Sequence, residues 1–240
     1  MKRINTNSRW SYVFIGGKDG GLKRICMESK RLNSDYGLSY NGMVSCLIIT
    51  PDMLNIFTGG NSGHLKQWSL NQEECIRDLS GFHKYWIRCM TATPDSEYLF
   101  TGSDDFSVKQ WVVQSGHVLR DWQGYHNGTI MSMAISNKGE YLFTGDFKGH
   151  IKKMEIESGV SIDFAVKAIG GPKTRAPRQI HRTIVKDICI DSNDQYIYTL
   201  DKNGFLYKWD LVTNELIREY GKTFPEGVLS ACLTIDNQKL

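Results

Sequence analysis

The chain matches itself when it is shifted by 43 residues. Ile56-Phe57-Thr58-Gly59 falls on Leu99-Phe100-Thr101-Gly102, and again on Leu142-Phe143-Thr144-Gly145. Lys66-Gln67-Trp68 falls on Lys109-Gln110-Trp111, and Val44 falls on Ile87 and Ile130. The next start, Val185, comes 55 residues after Ile130, so twelve residues are inserted there. Val228 opens another unit at the regular spacing. Val13-Phe14-Ile15-Gly16 with Leu22-Lys23 marks a degenerate unit at the start. The units are therefore 1–43, 44–86, 87–129, 130–184, 185–227 and a partial 228–240.

Residues 87–113 are the clearest copy. Ile87–Thr93, Tyr98–Gly102 and Val108–Val113 read as strands, and Pro94-Asp95-Ser96-Glu97 and Ser103-Asp104-Asp105 as the turns between them. Aromatic and β-branched residues fill the first set, and Pro, Asp and Ser fill the second. One such unit is too small to bury both faces of its own sheet. Stacked neighbours are needed to build a core. A period near 43 with several short strands per unit therefore predicts an all-β chain, a β-propeller spanning 1–240 as one domain.

The unit resembles the WD40 repeat, and the resemblance runs over nearly the whole chain. Trp68, Trp111 and Trp209 stand near the end of the third strand, and Trp209-Asp210 carries the family's closing Trp-Asp pair. His83, His126 and His181 stand four residues before Ile87, Ile130 and Val185, as the family's His does. Phe82, Tyr125 and Ile180 replace the Gly of its Gly-His signature. The resemblance implies a network of His, Asp, Trp and a strand hydroxyl inside each blade. The third unit matches it with His83, Asp105 and Trp111, and with Thr101 or Ser103 as the hydroxyl. Ser62, Lys148 and Asn203 occupy the Asp position elsewhere, so most blades are expected to rely on packing instead. Packing can carry them. A buried Trp hides ~150–250 Å², worth roughly 4–6 kcal/mol at ~25 cal/mol/Å², against about 1 kcal/mol for one hydrogen bond.

The resemblance also implies seven blades as the usual number, and five units with the start of a sixth leave two expectations open. The chain is a fragment of a longer propeller, or Val228–Ile235 returns to pair with Tyr12–Gly16 and closes a five-bladed ring. The second fits the polar start of the chain, where Lys2–Asn7 would otherwise supply the first strand.

Charged residues make up 23% of the chain and the net charge is +3, too small to argue for nucleic acid from bulk charge. Cys46 and Cys89 share one first-strand position, and Cys189 and Cys232 sit slightly later in theirs. They read as small core residues, with no C-x-x-C pair, which suits a reducing compartment. The start MKRINTNSRW has no apolar signal core, and no apolar run approaches the ~18 residues of a membrane span. The expected location is cytoplasmic or nuclear. Asn127-Gly128-Thr129 matches a glycosylation sequon that such a location would leave unused.

No catalytic constellation emerges. Gly16-Gly17-Lys18-Asp19-Gly20-Gly21 lies between two strands and opens no helix, so it reads as a hairpin turn and not a phosphate loop. Gly170-Gly171-Pro172-Lys173-Thr174 lacks the earlier Gly of a P-loop. The six His form no H-x-x-x-H or H-E-x-x-H pattern. The chain is expected to be no enzyme and to need no cofactor or metal.

Binding is the remaining expectation. The resemblance places contact residues at the start of the first strand and before the turn Asp. In the third unit these are Trp86, Arg88 and Asp104, and Lys186 is a further candidate in the fifth. Trp86 and Arg88 alternate with Ile87 and so share one side of a strand. Met43, Ser45 and Asn61, then Thr129, Met131 and Phe147, then Ile184 and Lys202 are the equivalents. That mixed surface suits proteins or peptides. The insertion, residues 167–186, holds Lys173, Arg175, Arg178 and Arg182 and no acid. It reads as a loop that could dock an acidic or phosphorylated partner or a nucleic-acid backbone. The first expectation is a non-catalytic interaction scaffold. The alternative is a propeller that binds nucleic acid or phosphate groups through the basic loop.

Overall fold

A computed structural model describes residues 12–29, 31–38, 42–164, 166–167, 178–179 and 181–222. The strands expected over Lys2–Asn7 and Val228–Ile235 lie outside them. The chain divides into two compact units, Met1–Trp122 and Gln123–Leu240.

The first unit contains three blades of a β-propeller type. The first blade holds β1 (Tyr12–Gly16), β2 (Gly21–Cys26) and β3 (Arg31–Leu38). The second holds β4 (Val44–Ile49), β5 (Asn55–Gly60), β6 (Leu65–Ser69) and β7 (Glu74–Asp78). The third holds β8 (Ile87–Ala92), β9 (Tyr98–Ser103), β10 (Val108–Val112) and β11 (Val118–Trp122). Each blade is an antiparallel meander in chain order. The second unit contains the fourth blade, β12 (Ile130–Ile135), β13 (Tyr141–Asp146), β14 (Ile151–Glu155) and β15 (Ser161–Phe164). A two-stranded ribbon follows, β16 (Val166–Lys167) with β17 (Arg178–Gln179). The fifth blade is β18 (Val185–Ile190), β19 (Tyr196–Asp201), β20 (Phe205–Asp210) and β21 (Leu216–Lys222).

The three strands expected in residues 87–113 are present within one residue of their expected ends. A fourth, β11, completes the blade. The Gly16–Gly21 stretch is a hairpin turn, closed by the Gly17 amide on the Gly21 carbonyl at 2.8 Å. Cys46 and Cys89 are buried as expected, whereas Cys189 is only half-buried.

The cores lie between blades. Leu22 and Tyr36 of the first blade meet Ile56 and Trp68 of the second. Cys46, Phe57, Leu65 and Leu79 of the second meet Ile87, Leu99, Trp111 and Val113 of the third. Phe143, Ile151 and Phe164 of the fourth meet Val185, Ile197, Trp209 and Leu211 of the fifth. A side chain at one third-strand position also reaches the next blade's third-to-fourth turn. Arg24 pairs with Glu73, Gln67 Nε2 donates to the Val113 carbonyl at 3.1 Å, and Lys153 Nζ donates to the Leu211 carbonyl at 2.8 Å.

This stacking explains the repeated Thr-Gly. A Cβ on Gly16 would lie 2.4 Å from Val44 Cγ1, on Gly59 3.0 Å from Ile87 Cγ2, and on Gly145 2.5 Å from Val185 Cγ1. The first strand of the following blade sits where a side chain would be. In the fifth blade the equivalent residue is Leu200, whose side chain is buried. Gly145→Ala should therefore push Val185 aside and lower stability by about 1–3 kcal/mol, the usual range for overpacking. Chemical denaturation of the variant beside the parent chain measures this.

Candidate functional site

The first strand of each of the last four blades carries the same irregularity. Pairing slips by one residue between Val44 and Cys46, Ile87 and Cys89, Ile130 and Ser132, and Val185 and Asp187. The extra residues are Ser45, Arg88, Met131 and Lys186. A bulge takes its extra residue out of the ladder and re-aims the side chain. The turn after the second strand is tied back to the same place in every case. The amides of Asn61, Asp104, Phe147 and Lys202 donate to the carbonyls of Met43, Trp86, Thr129 and Ile184 at 3.4, 2.9, 2.8 and 2.9 Å. Each of these four blades thus ties one turn residue to the backbone next to one bulge residue.

In the third blade this brings the expected residues together. Arg88 Nε donates to Asp104 Oδ1 at 2.7 Å and Nη2 to Oδ2 at 2.6 Å. Its guanidinium carbon lies 4.4 Å from the centre of the Trp86 ring. The fork fixes the guanidinium in plane, and the ring covers one face of it. The charge of Arg88 is met by Asp104, so the patch is electrically balanced. Close by in the chain, Phe82, Tyr85 and Phe106 are 52%, 59% and 42% exposed, and the Phe82 ring meets Trp111 edge-on at 5.2 Å. The loop carrying Tyr85 is held to the turn by Ser103 Oγ donating to the Tyr85 carbonyl at 3.3 Å, and by the Lys84 amide on Asp105 Oδ2 at 3.0 Å. Phe106 has φ 66°, in the left-handed region where Gly20, Gly63, Gly149 and Gly204 stand in the other blades. A bulky residue there is strained by roughly 1–3 kcal/mol.

Of the other expected site residues, Lys186 is a bulge residue of the fifth blade and Arg182 is exposed. Arg178 lies in β17, its backbone paired with Lys167. Lys173 and Arg175 lie outside the described residues.

Beneath the third-blade patch lies the expected network. His83 Nδ1 is 2.9 Å from Asp105 Oδ2, and Nε2 is 2.7 Å from Thr101 Oγ1. Trp111 Nε1 donates to Thr101 Oγ1 at 2.9 Å. The consistent proton placement is on Nδ1, with the Thr101 hydroxyl donating to Nε2. Thr101, not Ser103, is the hydroxyl of the network. Ser107 is an unforeseen member, donating to Asp105 Oδ1 at 2.5 Å.

The expectation that most other blades lack a network is corrected in the fourth and fifth. His126 Nδ1 lies 3.2 Å from Asp146 Oδ2 and Nε2 lies 2.8 Å from Thr144 Oγ1. His181 meets Asp201 Oδ2 at 3.4 Å and Thr199 Oγ1 at 2.7 Å, with Trp209 Nε1 on Thr199 at 2.9 Å. The carboxylate comes from the last residue of the second strand, two positions before Lys148 and Asn203. Asp105 in its turn and Asp146 at its strand end both reach a His Nδ1, at 2.9 and 3.2 Å, so either position can serve one His. The readable signal was the carboxylate two residues after the Thr, in Thr144-Gly145-Asp146 and Thr199-Leu200-Asp201. In the second blade, Trp68 Nε1 donates to Thr58 Oγ1 at 2.9 Å.

The profile of the family "WD domain, G-beta repeat" matches residues 73–112 and 116–153. These two stretches are similar to WD40 repeats. No curated protein sequence matches it. The first matched WD40 repeat runs from β7 through β10, so the repeat in sequence is offset by one strand from the blade in space.

The network also carries an acid sensitivity. Burial holds His126 below its ordinary range, although Asp146 pulls it up. Burial pushes Asp146 up, but the hydrogen bonds from His126 and the His150 amide outweigh it and hold the carboxyl low. The same balance, set by His83 and Ser107, holds Asp105 well below the usual carboxylate range. A lowered folded value means that the unfolded chain binds the proton more readily. The His126 contribution is therefore complete above about pH 6.5 and is lost as pH falls toward the lowered value. The two carboxyl contributions go only in stronger acid. Thermal melts in a pH series should fall from about pH 6.5 downward. His126→Gln should melt lower at neutral pH but with a shallower fall toward about pH 5. A constant gap between the two chains across the series contradicts the account. Separately, Trp111→Phe should lower stability by about 1–2 kcal/mol and Trp111→Ala by about 3–5 kcal/mol, in denaturant titrations.

Proposed function

We propose that this WD40-repeat chain, residues 1–240 acting as one repeat array, is a non-catalytic scaffold that binds a protein segment on the rim of the third blade. The observation that carries the reading is Arg88, stacked on Trp86 and forked onto Asp104, with Phe82, Tyr85 and Phe106 exposed close by in the chain. WD40 repeats generally serve in protein interaction, and Trp, Tyr and Arg dominate interface energetics. The balanced charge favours a segment that contributes apolar side chains to these exposed rings over one that contributes net charge. The strain at Phe106 supports the same site, because strained residues cluster where structure serves binding. His83, Ser107 and Asp105 are hydrogen-bonded to one another, but His83 and Ser107 are closed off from solvent. They read as a structural lock, not a nucleophile and base. No helix among the described residues is long and apolar enough to cross a membrane.

Two variants test the reading against a partner recovered by crosslinking from a photoreactive residue placed at Tyr85. Trp86→Ala should weaken binding by about thirtyfold, equivalent to a hot-spot loss of about 2 kcal/mol. Phe106→Gly should weaken it too while raising the melting temperature, since Gly relieves the left-handed strain. Unchanged affinity in both variants overturns the site.

A further inference from the structure

The bulge and turn positions differ in chemistry from blade to blade although their backbone is the same. The pairs are Ser45 with Asn61, Arg88 with Asp104, Met131 with Phe147, and Lys186 with Lys202. Where the third blade sets a cation against an anion, the fifth has a lysine at both matching positions. The Lys202 amide bonds the Ile184 carbonyl at 2.9 Å, as the Asp104 amide bonds that of Trp86, so the two side chains leave from matching places. Lys202 and nearby Arg182 are exposed and Lys186 is half-buried. Arg182 directly follows His181.

The nearby acids are otherwise engaged. Asp201 is buried, with Oδ2 on His181 and Oδ1 taking the amides of Asn203 and Phe205. Asp187 is the next ladder residue after the bulge and accepts the Ile188 amide. Among the described residues, no carboxylate forms an ion pair with Lys186, Lys202 or Arg182. Three cations without a counter-charge on two adjoining segments repel one another. A divalent anion placed between them removes that repulsion and gains charge-assisted hydrogen bonds.

We propose that Lys186, Lys202 and Arg182 form an anion site in the fifth blade that takes the phosphate of a phosphorylated protein segment. A phosphate monoester carries about −1.5 to −2 charges at neutral pH and offers three acceptor oxygens, matching three cationic donors better than a carboxylate does. A peptide fits better than a nucleic acid. The three cations mark a point, not the long basic track that follows a phosphodiester backbone. Tyr207, whose hydroxyl feels the charge of Arg182, is buried and gives no face for base stacking. This site lies on a different blade from Trp86 and does not depend on the reading of that patch.

The test uses the full chain and a degenerate pool of fluorescent peptides, each with one fixed phosphoserine. An unphosphorylated pool and a single-stranded oligonucleotide run beside it, all at low ionic strength. The phosphorylated pool should bind, the unphosphorylated pool should not, and inorganic phosphate should compete. Lys186→Met with Lys202→Met should weaken binding by at least about tenfold. Lys202→Asp, which recreates the third blade's ion pair in the fifth, should abolish binding while leaving the melting temperature unchanged or higher. That outcome separates loss of the site from loss of the fold. Equal binding of the two pools, or binding unaffected by either variant, overturns the proposal. Oligonucleotide binding that exceeds phosphopeptide binding and disappears in the same variants reassigns the site to nucleic acid and overturns it as well.

Discussion

A four-stranded sheet of five- and six-residue strands has two faces to hide and no helix to hide them with. In this chain, the sheets of neighbouring blades within each unit cover one another. Trp68, Trp111 and Trp209 are nearly inaccessible because each lies in such a contact, not because it lies at the centre of its own sheet. Everything that is regular in the sequence follows. The first-strand Val or Ile must enter the preceding blade, so the Thr-Gly of that blade must leave room. The second-strand Thr must face the Trp, so its hydroxyl becomes available to the His as well.

The rims are released from those demands, and there the blades diverge. Backbone geometry is kept, down to the bulge and the turn amide, while side chains change from a polar pair to an ion pair, an apolar pair and a pair of ammonium groups. A constant frame with variable rim residues is how one small repeat can present several surfaces. The interior network is less demanding than its motif suggests. Met154 stands where Trp111 would be, and His126 still meets Asp146 and Thr144. The carboxylate can come from the strand end or from the turn, since either can reach the His Nδ1.

Much of this was legible in the sequence because it rests on periodic packing. The period, the hairpin at Gly16–Gly21 and the grouping of Trp86, Arg88 and Asp104 could be read from spacing and resemblance. Fourth strands such as Glu74–Asp78 and Val118–Trp122 could not, because none of their residues is fully buried and their apolar residues do not alternate cleanly. The bulges were invisible because a one-residue slip in pairing leaves no mark on composition. The networks of the fourth and fifth blades were misread because the motif was followed by position, whereas a hydrogen bond requires only that the carboxylate arrive on the right side. The basic segment around Lys173 and Arg175 stays a matter of sequence.

Leu200 bears on how such an array can grow. Gene duplication lengthens a repeat protein by copying a unit whose two faces already fit each other. A Val or Ile set on the fifth blade in the register that Val44, Ile87 and Val185 use would meet the Leu200 side chain in the space that Gly16, Gly59 and Gly145 leave open. A unit whose first strand packs on that blade therefore cannot be an exact copy of the earlier ones: that strand has to shift, or to start with a smaller residue.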